Sequence, residues 1–234
     1  MASQRKRKGG FLNRQVVGTL RRAKNAARLM SGGRFTAPYE APYELMLKEN
    51  FLRLRRYPVT PGTALEGVGP ILLVPPLMVT AQVYDISPPL SSVAYLSGAG
   101  LDVWLCDFGV PENEEGGMER TLDEHLMAID RAIDFIVEQT GFDVHVAGYS
   151  QGGLFVYQVA AYRKSKGVAS VVTFGSPVDF QRNLPGHFDR DLTQNVLVGL
   201  RSALSQAIDN IPGLPGSLTS FAFKAVSPRK EVRY

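Results

Sequence analysis

A scarcity of cysteine is the first feature of this sequence. Cys106 is the only cysteine among 234 residues, so no disulfide can form within the chain and its fold does not depend on an oxidising compartment. A cytoplasmic protein is the simplest expectation. The sequence also lacks a run of about 18 apolar residues, the length a membrane-spanning helix needs. Its longest apolar stretches, such as 71–74 and 103–106, have the length of strands.

Acidic residues are absent from the first 39 positions, where ten lysines and arginines stand. The rest of the chain has 16 basic and 22 acidic side chains. The net charge of +4 therefore belongs to a basic N-terminal arm, residues 1–40. A secretory signal is not indicated, because no apolar segment follows the basic start.

The basic arm allows more than one interpretation. It has a weak helical stripe at Leu12, Val16, Leu20 and Ala27. A basic helix lying on an anionic membrane or a lipid granule, through residues 5–34, fits this pattern. A solvated, flexible tail fits it equally well. Nucleic-acid binding is not favoured, because neither interleaved aromatic residues nor a known module accompanies the charge.

Apolar runs bounded by glycine and proline alternate with helical patterns after residue 69. Strands are predicted at 71–74, 101–108, 143–147 and 168–174, and helices at 91–96, 121–140 and 152–164. Residues 49–58 are predicted to be extended, and residues 112–117 to form a surface loop. This alternation, with short connections, predicts a mostly parallel sheet with helices on both faces.

The helix after Thr121 has the clearest start and end. Thr121 and Glu124 form a capping box, in which each side chain binds the other residue's backbone N–H, and Gly141 ends the helix. The predicted buried face is Leu122, Leu126, Ile129, Ile133 and Ile136. His125, beside this face, is interpreted as a surface or boundary residue.

The segment Gly148-Tyr149-Ser150-Gln151-Gly152 matches G-x-S-x-G between a predicted buried strand and a predicted helix. This context places a serine on a sharp strand-to-helix turn, with its hydroxyl above the edge of the sheet. Ser150 is therefore the predicted nucleophile. The backbone N–H of Gln151 and that of Leu77 or Met78, after the first predicted strand, are the expected donors to an oxyanion; of the latter two, Leu77 is preferred.

Several segments in one order resemble the polyhydroxyalkanoate synthase branch of the α/β-hydrolase superfamily. They are 72–76, 84–88, 101–108, 121–123, 148–153 and 174–180. The resemblance implies the fold class α/β: an α/β-hydrolase-type mostly parallel sheet with flanking helices, incomplete at the C-terminus, with part of a helical lid. It gives a core at 41–182 and a partial lid segment at 183–234.

The resemblance also implies acyl transfer or hydrolysis on an ester or an acyl-CoA thioester. The synthases have cysteine at the nucleophile position, whereas this chain has Ser150, which has a greater need for a base. This difference favours a hydrolase or a non-polymerising acyltransferase. Acyl-CoA is then a substrate, and neither a cofactor nor a metal is expected.

The acid and base of a catalytic triad are harder to place. In this fold the order is serine, acid, histidine, and Asp179 and His187 are the residues in that order. The resemblance, however, places Asp179 at the entry to the lid and His187 at the start of it. The histidine that serves as base is therefore expected to be missing, the chain being part of a longer protein or a truncated product.

Other side chains near the predicted strands are interpreted as structural. His145 is expected to pack in the core, as is Cys106, and Asp107 to serve as a turn or cap residue. Four aromatic residues either line an acyl pocket or simply pack: Trp104, Phe108, Tyr149 and Phe155.

The alternative to an enzyme is a truncated, inactive hydrolase fold that binds lipid or granule surfaces through its basic arm. The two hypotheses differ in what they require of the chain. The first depends on Ser150, and the second depends on residues 5–34.

Overall fold

The computed structural model describes residues 39–77 and 79–177, together with the helical residues Asn195 and Gly199. The basic arm lies outside the described residues, and so does the predicted lid segment apart from these two positions. The strands are β1 (Glu44–Glu49), β2 (Leu52–Tyr57), β3 (Ile71–Val74), β4 (Val103–Asp107), β5 (Val144–Tyr149) and β6 (Val168–Phe174). The helices are α1 (Ser92–Gly98), α2 (Leu122–Thr140) and α3 (Gln151–Tyr162), and single 3₁₀ turns occur at Ala81–Tyr84, Pro88–Leu90, Pro111–Asn113 and Gly117–Glu119.

The six strands form one sheet in the order β1-β2-β4-β3-β5-β6. The strands β4, β3, β5 and β6 are parallel, while β2 runs antiparallel to both β1 and β4. The mostly parallel sheet with flanking helices is therefore confirmed. The segment predicted to be extended at 49–58 contains the strand β2, and a two-residue connection folds β2 back along β1 into a hairpin.

The central strands are buried on both faces, as their unbroken apolar sequences indicate. Leu72 and Val74 of β3 pack with α2 and α3 on one face, while Leu73 between them packs on the other face with Val93 of α1. Successive side chains of a strand point to opposite faces, so helices are needed on both. The edge strand β6 differs, since its Val172 and Phe174 are about half-exposed.

The helix α2 has the predicted ends. Thr121 and Glu124 form both bonds of the capping box, at 3.3 Å from the Glu124 N–H to Thr121 Oγ1 and 2.7 Å from the Thr121 N–H to Glu124 Oε2. Gly141 ends the helix with a positive φ of 74°. Of the predicted face, Ile129, Ile133 and Ile136 are buried, Leu126 packs partly against them, and Leu122 is exposed.

One expectation about this region is wrong. His125 is buried rather than on the surface, because it lies four residues before Ile129 and so on the face that packs inward. The segment 112–117 is a surface loop, as predicted, since most of its residues are exposed. Short 3₁₀ turns lie at its two ends, and Gly117 is buried against the backbone carbonyl of Pro111.

A buried carboxylate joins the antiparallel half of the sheet to the parallel half. Asp107, at the end of β4, lies 2.5 Å from Arg55 Nη2 and 3.3 Å from Arg53 Nε. Its other oxygen accepts the N–H of Gly109 at 2.9 Å, which is the turn role expected from the sequence. Burial by itself would raise the pKa of Asp107, but the Arg55 guanidinium, the Gly109 N–H and Arg53 together hold that pKa below its usual value.

Replacing Asp107 with alanine is expected to lower the free energy of unfolding by about 3 kcal/mol, because the largely buried Arg55 loses the buried one of its two carboxylate partners and keeps only the exposed Glu40. Urea denaturation of the full chain measures this. The matched control is Glu49→Gln, which removes an exposed pair with Arg131 and should cost no more than about 0.5 kcal/mol. Equal losses in the two variants would contradict the assignment.

The same carboxylate makes stability depend on pH. A lowered pKa in the folded state means that Asp107 stabilises the fold above its unfolded pKa of about 3.9, and that this stabilisation is lost as pH falls through the folded pKa. The difference in free energy of unfolding between wild type and Asp107→Asn should therefore shrink below about pH 4. A difference that stays constant would contradict this.

Candidate active site

Ser150 occupies the turn between β5 and α3. Its backbone has φ 54° and ψ −119°, a conformation that residues with a side chain rarely adopt. Such strain costs on the order of 1–3 kcal/mol and persists where the surroundings impose it. Two backbone bonds do so here: the Ser150 N–H donates to the Phe174 carbonyl at 2.9 Å, and the Gly153 N–H donates to the Ser150 carbonyl at 3.0 Å.

One glycine on each side of Ser150 allows the turn to pack against the neighbouring strand. A Cβ on Gly148 would lie 2.3 Å from the Gly152 carbonyl oxygen, and a Cβ on Gly152 would lie 2.1 Å from the Val74 carbonyl oxygen. No side chain fits at either position. The first turn of α3 therefore lies directly against the end of β3, where the loop with the predicted oxyanion donor begins.

The two expected oxyanion donors, Gln151 and Leu77, are in contact. The Leu77 N–H donates to Oε1 of the Gln151 side chain at 3.1 Å. A carbonyl oxygen of the chain itself thus occupies the donor that was expected to face an oxyanion. Met78, the alternative to Leu77, lies outside the described residues.

Gln151 also begins α3, a helix of 12 residues. The first N–H groups of a helix have no partner within the helix, and its dipole favours negative charge there. Because α3 begins directly after Ser150, these free N–H groups lie at the same end of the sheet as the serine. This arrangement suits a reaction in which negative charge develops next to the serine hydroxyl.

Aromatic side chains cover the end of the sheet beside Ser150. Tyr149 is half-exposed and stacks on Phe174 with ring centroids 5.7 Å apart, and Tyr84 meets Phe174 edge-on at 6.3 Å. The Tyr84 hydroxyl donates to the Val74 carbonyl at 3.0 Å, where β3 ends.

Of the four aromatic residues considered from the sequence, Trp104 and Phe155 are core packing residues. Tyr149 lies at the open end of the sheet. Phe108 packs in the core and also lines a cavity at the ends of β3 and β4. Cys106 is fully buried, as expected, and burial raises the pKa of its thiol.

Among the described residues, no histidine hydrogen-bonds the Ser150 hydroxyl. His145 lies five positions earlier in β5, which in a strand is about 16 Å away, and its Nδ1 pairs with Ser170 Oγ at 2.8 Å. His125 packs edge-on against Phe108 with ring centroids 5.0 Å apart. Asp179 and His187 lie outside the described residues.

The described residues contain no group of three or more histidine, cysteine or carboxylate side chains placed to hold a metal ion. None of the helices in that part of the chain combines the length and apolar character needed to cross a bilayer.

The sequence is similar to bacterial and archaeal polymerases of poly(3-hydroxyalkanoate). It is 32% identical over 190 residues to the poly(3-hydroxyalkanoate) polymerase subunit PhaC of Thiocystis violacea, and 31% identical over 190 residues to that of Allochromatium vinosum. Each alignment covers 80% of this chain and 50% of the relative. A third relative, from Haloferax mediterranei, is 33% identical over 124 residues, 52% of this chain and 24% of its own.

These relatives confirm the resemblance that the sequence segments indicated. The chain spans about half the length of the curated relatives it matches. No protein-family model matches it.

Solved structures of similar fold include two lipases and a thioesterase. The monoacylglycerol lipase of Paleococcus ferrophilus has a TM-score of 0.44 and 21% identity, covering 70% of this chain and 53% of its own. The Bacillus licheniformis lipase BlEst2 has a TM-score of 0.43 and 17% identity, covering 53% of this chain and 46% of its own. The type II thioesterase BorB has a TM-score of 0.41 and 15% identity, covering 74% of this chain and 67% of its own. Because these TM-scores are low, the α/β-hydrolase-type fold rests on the strand order and the serine turn of this chain.

The packing of the serine turn yields a prediction. Gly152→Ala should lower the free energy of unfolding by about 2 kcal/mol, because the added Cβ would clash with the Val74 backbone. The control is Gly98→Ala at the end of α1, where a Cβ meets nothing within 4 Å and a gain of about 0.5 kcal/mol is expected. Thermal or urea unfolding compares the two, and an unchanged stability of Gly152→Ala would contradict the close approach.

Proposed function

We propose that this chain, similar to poly(3-hydroxyalkanoate) polymerases over four-fifths of its length, is a serine-nucleophile acyl hydrolase or acyltransferase acting on an ester or an acyl-CoA thioester. The observation that carries the proposal is the Ser150 turn. A serine with φ 54° stands at the N-terminus of α3, between glycines that the packing requires. Strain of this kind at the turn between a strand and a helix is typical of a nucleophile.

The proposed reaction has two steps. Ser150 Oγ attacks the acyl carbonyl carbon, the new C–O bond forms, and the carbon–sulfur or carbon–oxygen bond of the substrate breaks. The departing thiol or alcohol takes up a proton, and the acyl group stays on Ser150. Water or a second alcohol then takes the acyl group from Ser150, which regains its proton.

The negative oxygen formed during attack is held by backbone donors. The Gln151 N–H, at the start of α3, is one, and the Leu77 N–H is the other. For Leu77 to act in this way, the Gln151 side chain has to release the bond it makes to that N–H. When the substrate binds, the carbonyl oxygen of its acyl group therefore replaces the Gln151 side-chain oxygen as the acceptor of the Leu77 N–H.

A base must accept the Ser150 proton during attack. His145 is too distant, and His125 is a poor base, because burial lowers its pKa to about 4. The proposal therefore assigns the base to a residue outside the described ones. His187 is the histidine of this chain that the serine–acid–histidine order allows.

The relatives' names indicate which acyl group to test first. They are polymerases of poly(3-hydroxyalkanoate), so a short 3-hydroxyacyl thioester is the acyl donor proposed for this chain. An unsubstituted acyl thioester of equal length is the natural comparison.

The test is to incubate the full chain with 3-hydroxybutanoyl-CoA and to search by peptide mass spectrometry for the acyl group on Ser150. The adduct is expected in wild type and not in Ser150→Ala. Ser150→Cys should also be acylated, because a thiolate is a strong nucleophile, whereas buried Cys106 should not. Labelling that survives Ser150→Ala, or no adduct in wild type with either the CoA thioester or an activated ester, would overturn the proposal.

The bond between Gln151 and Leu77 predicts an order of reactivity. Gln151→Ala frees the Leu77 N–H and should speed labelling of Ser150 by a fluorophosphonate, about fivefold for one neutral hydrogen bond. Gln151→Glu should slow it, because a carboxylate holds the N–H more strongly and repels an oxyanion. The opposite order would show that the side chain positions Leu77 rather than occupying its donor.

A further inference from the structure

A cavity of about 190 Å³ lies beyond the carboxyl ends of β3 and β4. The loops after these strands form its walls, with Pro75 and Leu77 on one side and Phe108 and Met118 on another, and the first turn of α2 adds His125. In open α/β sheets ligands bind in this position. At about 30 Å³ for each water-sized group, the cavity has room for about six non-hydrogen atoms.

The cavity adjoins the candidate active site through two of its lining residues. Leu77 is bound to the Gln151 side chain through its N–H, and Pro75 packs against Gly152 at the start of α3. An acyl group whose carbonyl oxygen approaches the Leu77 N–H therefore lies at the edge of this space.

Two side chains that line the cavity have buried nitrogen atoms without a partner. The Nδ1 atom of His125 and the Nη2 atom of Arg120 are both shielded from solvent, and neither hydrogen-bonds any atom of the protein. His125 is only 4% exposed. Leaving such groups unpaired costs on the order of 1–3 kcal/mol each, so a pair of them beside one cavity indicates a missing polar partner.

The rest of Arg120 holds the cavity wall in place. Its Nη1 donates to the Phe108 carbonyl at 2.6 Å and its Nε donates to the Gly117 carbonyl at 3.2 Å. Its guanidinium also lies over the Phe51 ring, 5.0 Å from the centroid. Of its three nitrogen atoms, Nη2 is the one without a hydrogen-bond partner.

The chemistry of the two nitrogens restricts the partner. Arginine only donates, whereas a neutral imidazole has one donor and one acceptor nitrogen. A hydroxyl group both accepts and donates, so it can take the bond from Arg120 and give one to His125. An aliphatic chain pairs with neither nitrogen, and a carboxylate pairs with the imidazole only if Nδ1 bears the proton.

We infer that this cavity binds the acyl chain of the substrate, and that His125 Nδ1, with Arg120 Nη2, hydrogen-bonds a hydroxyl group on that chain. His125 is then a specificity-determining residue, with no part in the transfer step. The inference rests on the proposed function for the identity of the ligand, but its test does not depend on turnover.

Binding is measured on the full chain with Ser150→Ala, so that no acyl group is transferred. The probes are S-(3-hydroxybutanoyl)-N-acetylcysteamine and S-butanoyl-N-acetylcysteamine, titrated by isothermal calorimetry. The hydroxylated probe should bind about tenfold more tightly. His125→Phe should reduce this preference to less than about twofold, while His125→Gln, which keeps a donor and an acceptor, should retain part of it.

The matched control is His145→Gln, which changes the other described histidine and should leave the preference unchanged. His125→Phe should melt no lower than the parent, because it removes an unpaired polar atom and keeps an aromatic ring against Phe108. An independent measurement needs no variant: the imidazole nitrogen signals of His125 should shift on adding the hydroxylated probe and not on adding the other.

Equal affinity for the two probes, or a preference that survives His125→Phe, would overturn the inference, as would failure of both probes to bind. The preference without any acyl adduct on Ser150 would overturn the proposed function and leave the cavity assignment standing. An acyl adduct on Ser150 without the preference for the hydroxylated probe would overturn the cavity assignment and leave the proposed function standing.

Discussion

The close approach of three backbone segments around Ser150 is the constraint on which the candidate site depends. The end of β5, the first turn of α3 and the end of β3 meet with glycine at both points of contact, Gly148 and Gly152. Because no side chain separates them, the chain must turn sharply at Ser150, and that residue takes a strained conformation. The same contact brings the helix start and the loop after β3 together. The positions of the proposed nucleophile and of both proposed oxyanion donors therefore have the same physical cause.

Leu77 connects the site to its surroundings. Its N–H donates to the Gln151 side chain, and Leu77 also lines the cavity that His125 lines. A substrate that displaces the Gln151 oxygen would extend its acyl chain past Leu77 into this space. The buried nitrogens of His125 and Arg120 have no hydrogen-bond partner in the protein, and a ligand with a hydroxyl group would remove the cost of leaving them unpaired. Binding energy from the acyl chain could thus offset the loss of the Gln151 bond.

Local patterns predicted most of the framework well. The apolar run at β3, the capping box of α2 and the serine motif are each complete within a few residues, and short-range sterics and hydrogen bonding decide them. The parallel sheet follows from their alternation. The sequence predicts β2 only as part of an extended segment, because no local pattern indicates its pairing with β4, about 50 residues later.

The sequence by itself determined where Ser150 stands, since strand, turn and helix signals agree around it. Only the tertiary structure decided what surrounds that serine. Leu77 and Gln151 are 74 positions apart, and Arg55 and Asp107 are 52 apart. The sequence predicts that His125 lies at the boundary of the buried face of α2. The structure buries this residue, and its burial depends on the loops after β3 and β4. Contacts between distant residues arise from how the elements pack, and a local sequence pattern does not indicate which distant residue will form the contact.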